Sequence, residues 1–170
     1  MLLIVGRRGG KGVIGAILCL WSVRRLLSLP DGPHAHYDID PGKRLVIPIV
    51  AGKGSQARRN QFADVRALAL RSEELAPYVA SESADSLRFY TRQQLEAGVR
   101  DPSRALIEIV AGETSESSVR GFATPTLILD EFAHLLGAGA TVDSIRLYEA
   151  ATPALATFTS SSLCLQTSSP

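Results

Sequence analysis

The chain has 170 residues, 45% of them hydrophobic and 21% charged, which fits one globular domain with a sizeable core rather than a disordered chain or two full domains. Eighteen lysines and arginines stand against seventeen acids, a formal charge of +1; a surface that is basic all over is thereby excluded, while a local basic patch stays open. The uncharged run 13–21 is shorter than the ~20 apolar residues of a bilayer span. Arg7, Arg8 and Lys11 interrupt anything resembling a secretory signal. Cys19 and Cys164 lie inside apolar runs without metal-ligand spacing, so free thiols in a cytoplasmic domain with no membrane partner are expected.

In chain order, residues 2–5 predict a short apolar strand and 6–12 a turn rich in glycine and arginine. From 13 to 29 the spacing predicts a helix, with Ile14, Leu18 and Trp21 on one face and Trp21 as a core anchor. Pro30, Gly32 and Pro33 stop it and open a loop to Gly42. Residues 45–50 predict a second strand, in which Pro48 suggests an edge or irregular position. Ser55 is placed to cap a helix with Ala57, Val65, Leu68 and Ala69 inward; Arg58, Arg59, Arg66 and Arg71 line its outer side. Pro77 ends that region. Strands are expected at 87–90 and 105–110, with 91–104 unassigned between them, and 115–120 reads as a polar loop. Residues 126–129 predict a buried strand that runs into Asp130 and Glu131. Thr141 is placed to cap a helix reaching Ala150, and 162–166 is the last strand. Strands separated by helices predict an α/β domain whose mostly parallel sheet is flanked by helices. Ligands of such sheets bind beyond the carboxyl ends of the strands, and both informative motifs fall at such ends.

The first motif is Val5-Gly6-Arg7-Arg8-Gly9-Gly10-Lys11-Gly12, between a strand and an apolar helix. Glycines let the chain wrap so that backbone N–H groups and the helix N-terminus face a phosphate, and Lys11 can reach the β- and γ-phosphates. Against the pattern G-x-x-x-x-G-K-[ST], Val5 holds the first position, and Gly12 holds the place of the hydroxyl that contacts Mg²⁺. Alone, the segment reads equally as a glycine-rich turn with solvated arginines. The second motif is Thr126-Leu127-Ile128-Leu129-Asp130-Glu131. In nucleotide hydrolases a strand-end aspartate holds Mg²⁺ and a neighbouring glutamate polarises the attacking water. Alone, the acidic pair reads as well as the start of a helix after a core strand.

Taken together, the segments Gly6-Arg7-Arg8-Gly9-Gly10-Lys11, Val119-Arg120-Gly121-Phe122, Leu129-Asp130-Glu131-Phe132-Ala133-His134 and Thr167-Ser168-Ser169-Pro170 resemble, in order, the ATPase domain of phage DNA-packaging terminase large subunits. The resemblance extends over essentially the whole chain, including Pro153-Ala154-Leu155-Ala156 before the last strand. It implies a P-loop NTPase core of the additional-strand, catalytic-glutamate type, spanning 1–170 as a single domain truncated at both ends relative to the family. It implies ATP and Mg²⁺ as cofactors and hydrolysis that drives viral DNA packaging. The partners implied are double-stranded DNA, a portal, a small terminase subunit and further copies of the chain in a ring.

By the same resemblance Gly6, Arg7, Arg8, Gly9, Gly10, Lys11 and Gly12 form the nucleotide loop, with Arg7 or Arg8 as electrostatic catalyst. Asp130 is the metal-binding aspartate and Glu131 the catalytic glutamate. Arg120 faces the nucleotide or the DNA path. Thr167, Ser168 and Ser169 couple hydrolysis to DNA movement. Gly12 departs from the family pattern, and no acidic nuclease domain follows in this sequence. An inactive, binding-only prophage remnant and a helicase-like ATPase domain are the alternatives. His34 and His36 read as a solvated pair without a third ligand, and His134 as a helical histidine near the site.

Overall fold

The computed structural model describes residues 10–51, 61–113, 122–130, 149 and 152–167. The expected strand 2–5, the loop 115–120, most of the helix from Thr141 to Ala150, and the helix start with Ser55, Ala57, Arg58 and Arg59 lie outside these residues.

Strand β1 (Leu45–Ala51) is buried at all seven positions, the burial expected of a strand covered on both faces of a parallel sheet. Described strands β2 (Val79–Glu82), β3 (Ser86–Phe89), β4 (Ile107–Glu113), β5 (Thr126–Asp130) and β6 (Leu163–Gln166) join it in the order β2-β3-β4-β1-β5-β6. The four strands β4, β1, β5 and β6 run parallel, while β3 pairs antiparallel with both β4 and β2. This is the mostly parallel, helix-flanked α/β sheet expected from the sequence.

Pro48 is not at an edge: β1 lies between β4 and β5. The β1–β5 ladder runs only from Ile49 to Ala51, with an isolated bridge between Leu45 and Ala123. The interruption falls where Pro48 and Pro125, neither with an N–H, occupy the two chains. A central strand thus tolerates its proline by skipping ladder bonds on one side only, since pairing with β4 is continuous.

Helix α1 (Lys11–Leu27) packs on this sheet through Ala16, Cys19, Leu20, Val23, Leu26 and Leu27. They meet the alternate β1 residues Leu45, Ile47, Ile49 and Ala51 in one core cluster, with Ile107, Ile109 and Ile128 from the flanking strands. A buried hydrogen bond from Thr126 Oγ1 to Ser22 Oγ (2.7 Å) ties α1 to β5. Of the expected face, Ile14 and Leu18 are partly buried and Trp21 is exposed. Val13, Ile17 and Trp21 are exposed by 43%, 53% and 48%, so Trp21 is no core anchor; instead the Arg25 guanidinium sits 5.2 Å from its ring centre.

Helix α3 (Ala63–Arg71), which follows β1 and a short π-helical turn at 61–62, packs against α1 through Val65 and Ala69. Leu68, expected inward, is exposed. The two helices approach closely at Gly15, where a Cβ would come within 1.6 Å of Gln61 Nε2. Gly15 is therefore glycine for space.

The stretch 91–104 contains α4 (Arg92–Glu96), begun by a capping box between Thr91 and Gln94. Residues of the expected loop before β1 form the short helix α2 (Gly32–His36). On β4, Glu108 is buried and held by Arg44 Nη1 (3.1 Å) and Arg88 Nε (3.0 Å); Arg44 also donates to the carbonyls of Ala105 and Ser103. No described helix is long and apolar enough to cross a membrane.

Candidate functional site

The carboxyl ends of the parallel strands are brought level by their registers. Ala51 of β1 pairs with Asp130 of β5 and with Glu113 of β4, and Leu129 pairs with Gln166 of β6. From β1 the chain moves to the β4 side of the sheet, whereas from β5 it continues to β6 on the other side. The crevice beyond β1 and β5 is thus a topological switch point, the place where open α/β sheets bind ligands.

Three of the residues singled out in the sequence meet there. Lys11, the first residue of α1, places Nζ 3.9 Å from Asp130 Oδ1. Thr167, just past β6, is pinned by its N–H to the carbonyl of Leu129 (2.8 Å) and donates from Oγ1 to Asp130 Oδ1 at 2.6 Å. The Asp130 side chain is only 8% exposed and that of Lys11 30%. A carboxylate so buried requires compensating partners, and the ammonium and hydroxyl supply them. At 3.9 Å the contact with Lys11 is an ion pair, longer than a hydrogen bond.

Gly10 sets the geometry of the helix start. It occupies the N-cap position with φ 80°, in the left-handed region that favours glycine, and no side chain caps the helix. The first turn of a 17-residue helix beside a lysine is a natural seat for an anion, because its N–H groups lack partners within the helix. A Cβ on Gly12 would meet Asp64 Oδ2 at 3.5 Å, an ordinary contact. Asp64, on α3, was not singled out from the sequence, and nothing in its spacing could have placed it against Gly12.

Gly6, Arg7, Arg8, Gly9, Arg120, Glu131, Ser168 and Ser169 lie outside the described residues, as does His134. Glu131 directly follows Asp130 in sequence, and Ser168 directly follows Thr167.

The donors at the cleft are hard oxygens, Asp130 and Thr167, with Asp64 close to Gly12. That set suits Mg²⁺ or another oxygen-seeking cation. Among the described residues no three His, Cys, Asp or Glu side chains are grouped to hold a metal by themselves. A cation here would share its shell with waters and a phosphate ligand, as Mg²⁺ commonly does.

Other described groups do not compete for this role. Burial pushes the Cys19 thiol up to about 12 and raises that of Cys164, so neither is a ready nucleophile near neutral pH. His34 Nε2 is hydrogen-bonded with the carbonyl of Lys43 (2.7 Å), and His36 packs edge-on against Tyr37. Arg66, one of the arginines expected to form a basic patch, is paired with Glu82 at 3.2 Å. A depression of about 460 Å³ lies at the opposite, amino end of the strands, between α2 and α4 and near Pro41 and Leu106.

No family model matches the chain, and no curated protein matches it. Among solved structures, the large terminase from a thermophilic bacteriophage has a similar fold, with a TM-score of 0.54 at 12% sequence identity. The likeness covers 95% of this chain and 32% of the terminase, so the chain spans about a third of that protein's length. At this identity the match shows a related fold.

Proposed function

We propose that the chain is a nucleotide-binding domain of P-loop type, which takes Mg²⁺-ATP at the cleft of Lys11 and Asp130 and resembles the motor part of a DNA-packaging terminase. The observation that carries the reading is the convergence of Lys11, Asp130 and Thr167 at the switch point of a parallel sheet. The sequence motifs alone required only that each lie at a strand end; one shared cleft is what nucleotide chemistry needs in addition.

In this reading the first turn of α1 and Lys11 hold the β- and γ-phosphates. Asp130, with Thr167 steadying its carboxylate, would hold the cation, which would supply charge neutralisation at the phosphate oxygens. Glu131 positions the attacking water, and Arg7 or Arg8 stabilises charge on the transferring phosphoryl group. Because Thr167 bonds directly to Asp130, a change of ligand at the aspartate is felt at the segment Thr167, Ser168 and Ser169. That contact gives a physical route for coupling hydrolysis to movement of double-stranded DNA. DNA contacts made through arginines would be to phosphates, hence weak and salt-sensitive in a single copy. A ring of copies on a portal would add them by multiplicity.

Gly12 favours binding over turnover. Gly12 would offer a bound Mg²⁺ no hydroxyl ligand of its own, and small misplacements at a reacting phosphate cost large factors in rate. The chain is therefore expected to bind ATP and release phosphate slowly. The test is phosphate release by the chain and by Gly12→Ser, for which the 3.5 Å spacing to Asp64 leaves room. Gly12→Ser is expected to raise turnover about tenfold. Failure of either protein to bind ATP would count against the reading, whereas brisk turnover by the unmodified chain would show that Gly12 is no handicap.

A further inference from the structure

We infer that the Asp64 carboxylate makes up in part for the hydroxyl that Gly12 lacks and helps hold the hydrated Mg²⁺ of a bound nucleotide. This rests on the nucleotide-binding reading above and adds to it a ligand that the sequence pattern does not contain. Gly12 directly follows Lys11 in the first turn of α1, at the position where the phosphate-loop pattern places Ser or Thr. A Cβ built there would have Asp64 Oδ2 at 3.5 Å, and no other described atom beyond its own helix backbone and chain neighbours within 4 Å. A serine hydroxyl lies one bond beyond Cβ. The carboxylate oxygen of a different helix thus lies in van der Waals contact with the carbon that would carry that hydroxyl, over a residue without a side chain of its own.

The chemistry is compatible with such an exchange. Carboxylate and hydroxyl are both hard oxygen donors, and Mg²⁺ is usually bound by one or two carboxylates together with waters and phosphate oxygens. Asp130 would be one carboxylate and Asp64 the second. Gln61, one turn before Asp64 and on the side of its helix that meets α1, is 1% exposed, and neither its Nε2 nor its Oε1 has a hydrogen-bond partner among the described residues. A buried amide left unpaired is costly; this one lies against Gly15, one turn along α1 from Gly12, and so borders the proposed site without entering it.

A purely structural role for Asp64 makes a different prediction. Asp64 lies in the first turn of α3, where an acid interacts favourably with the helix dipole whether or not metal is present. A metal ligand behaves otherwise. With Mg²⁺ its loss weakens nucleotide binding; without Mg²⁺ its negative charge opposes the phosphates, so its loss leaves binding no weaker.

The experiment is calorimetric titration of ATP into the chain, Asp64→Ala and Asp64→Asn, each with Mg²⁺ and with EDTA at constant ionic strength. Both substitutions are expected to weaken Mg²⁺-ATP binding about tenfold while metal-free binding holds or tightens. In the Gly12→Ser background, where a hydroxyl is restored, the loss should shrink to about twofold or less. Equal weakening with and without Mg²⁺ would assign Asp64 a structural role and overturn the inference. Unchanged binding in both variants would overturn it too, while leaving the nucleotide reading intact. Binding of ATP by the unmodified chain in neither condition would remove both.

Discussion

Lys11→Met is expected to weaken ATP binding by a factor of about 100 while changing the unfolding temperature little. Methionine keeps the aliphatic stem and removes only the charge, so the packing of the helix start is preserved. A charge-assisted hydrogen bond is worth about 1.5–3 kcal/mol, and each 1.4 kcal/mol is about tenfold in affinity, which places the loss between about ten- and a hundredfold. The upper end is expected because the same substitution strips Asp130 of the ammonium 3.9 Å away, leaving a buried negative charge close to the incoming phosphates. Stability should suffer less, since the Lys11 side chain is 30% exposed and Thr167 still donates to the carboxylate. Calorimetric titration beside thermal unfolding checks both halves. Equal affinity in the variant would take Lys11 out of the phosphate site.

Glu108→Ala is expected to be the most damaging single change to the fold away from the cleft. The carboxylate sits on β4 between Arg44 and Arg88, with one oxygen to each. Truncating it leaves two arginines facing each other across a strand. Breaking a buried pair costs about 3–5 kcal/mol; here the arginine side chains are 33% and 30% exposed, so solvent takes up part of the charge and about 2–3 kcal/mol is expected. For a domain of this size that lowers the unfolding temperature by roughly 5–10 °C. Glu108→Gln, which keeps one good acceptor, should lose about half as much. Thermal denaturation of the three proteins decides it, and ATP binding at low temperature should be unaffected because the cluster is remote from the strand ends used by Lys11 and Asp130.

Much of the frame was legible because its signals are local. The apolar runs of β1 and β5 announce buried parallel strands, that of β6 a partly buried one, and the apolar sequence that follows the glycines announces helix α1. What stayed hidden depends on contacts distant in sequence. Helix α1 is apolar nearly all round, so periodicity could not tell its buried face from the face carrying Val13, Ile17 and Trp21. Pro48 looked like an edge residue because the interruption opposite Pro125 that accommodates it appears only once β5 is laid beside β1. The hairpin of β2 and β3 was half missed because Val79–Glu82 is short and only partly buried. Helix α4 did carry a readable signal, the Thr91-x-x-Gln94 capping box, which sits in the stretch the sequence left unassigned.

At the candidate site the asymmetry is similar. Lys11 and Asp130 were recognisable as residue types at predicted strand ends and Thr167 only through the family resemblance, and the structure brings these three together. Asp64 was not recognisable, since its meaning comes only from facing Gly12 across a helix–helix contact.

The central claim is that the cleft recognises the phosphates of a nucleotide, and comparing ATP with AMP tests it most directly. The two share base, sugar and α-phosphate and differ in the groups that Lys11 and the start of α1 are placed to hold. With Mg²⁺ present, calorimetric titration of the unmodified chain is predicted to show ATP binding and AMP binding at least about 100-fold weaker. AMP binding as tightly as ATP, or no heat and no thermal stabilisation with ATP, would contradict the account.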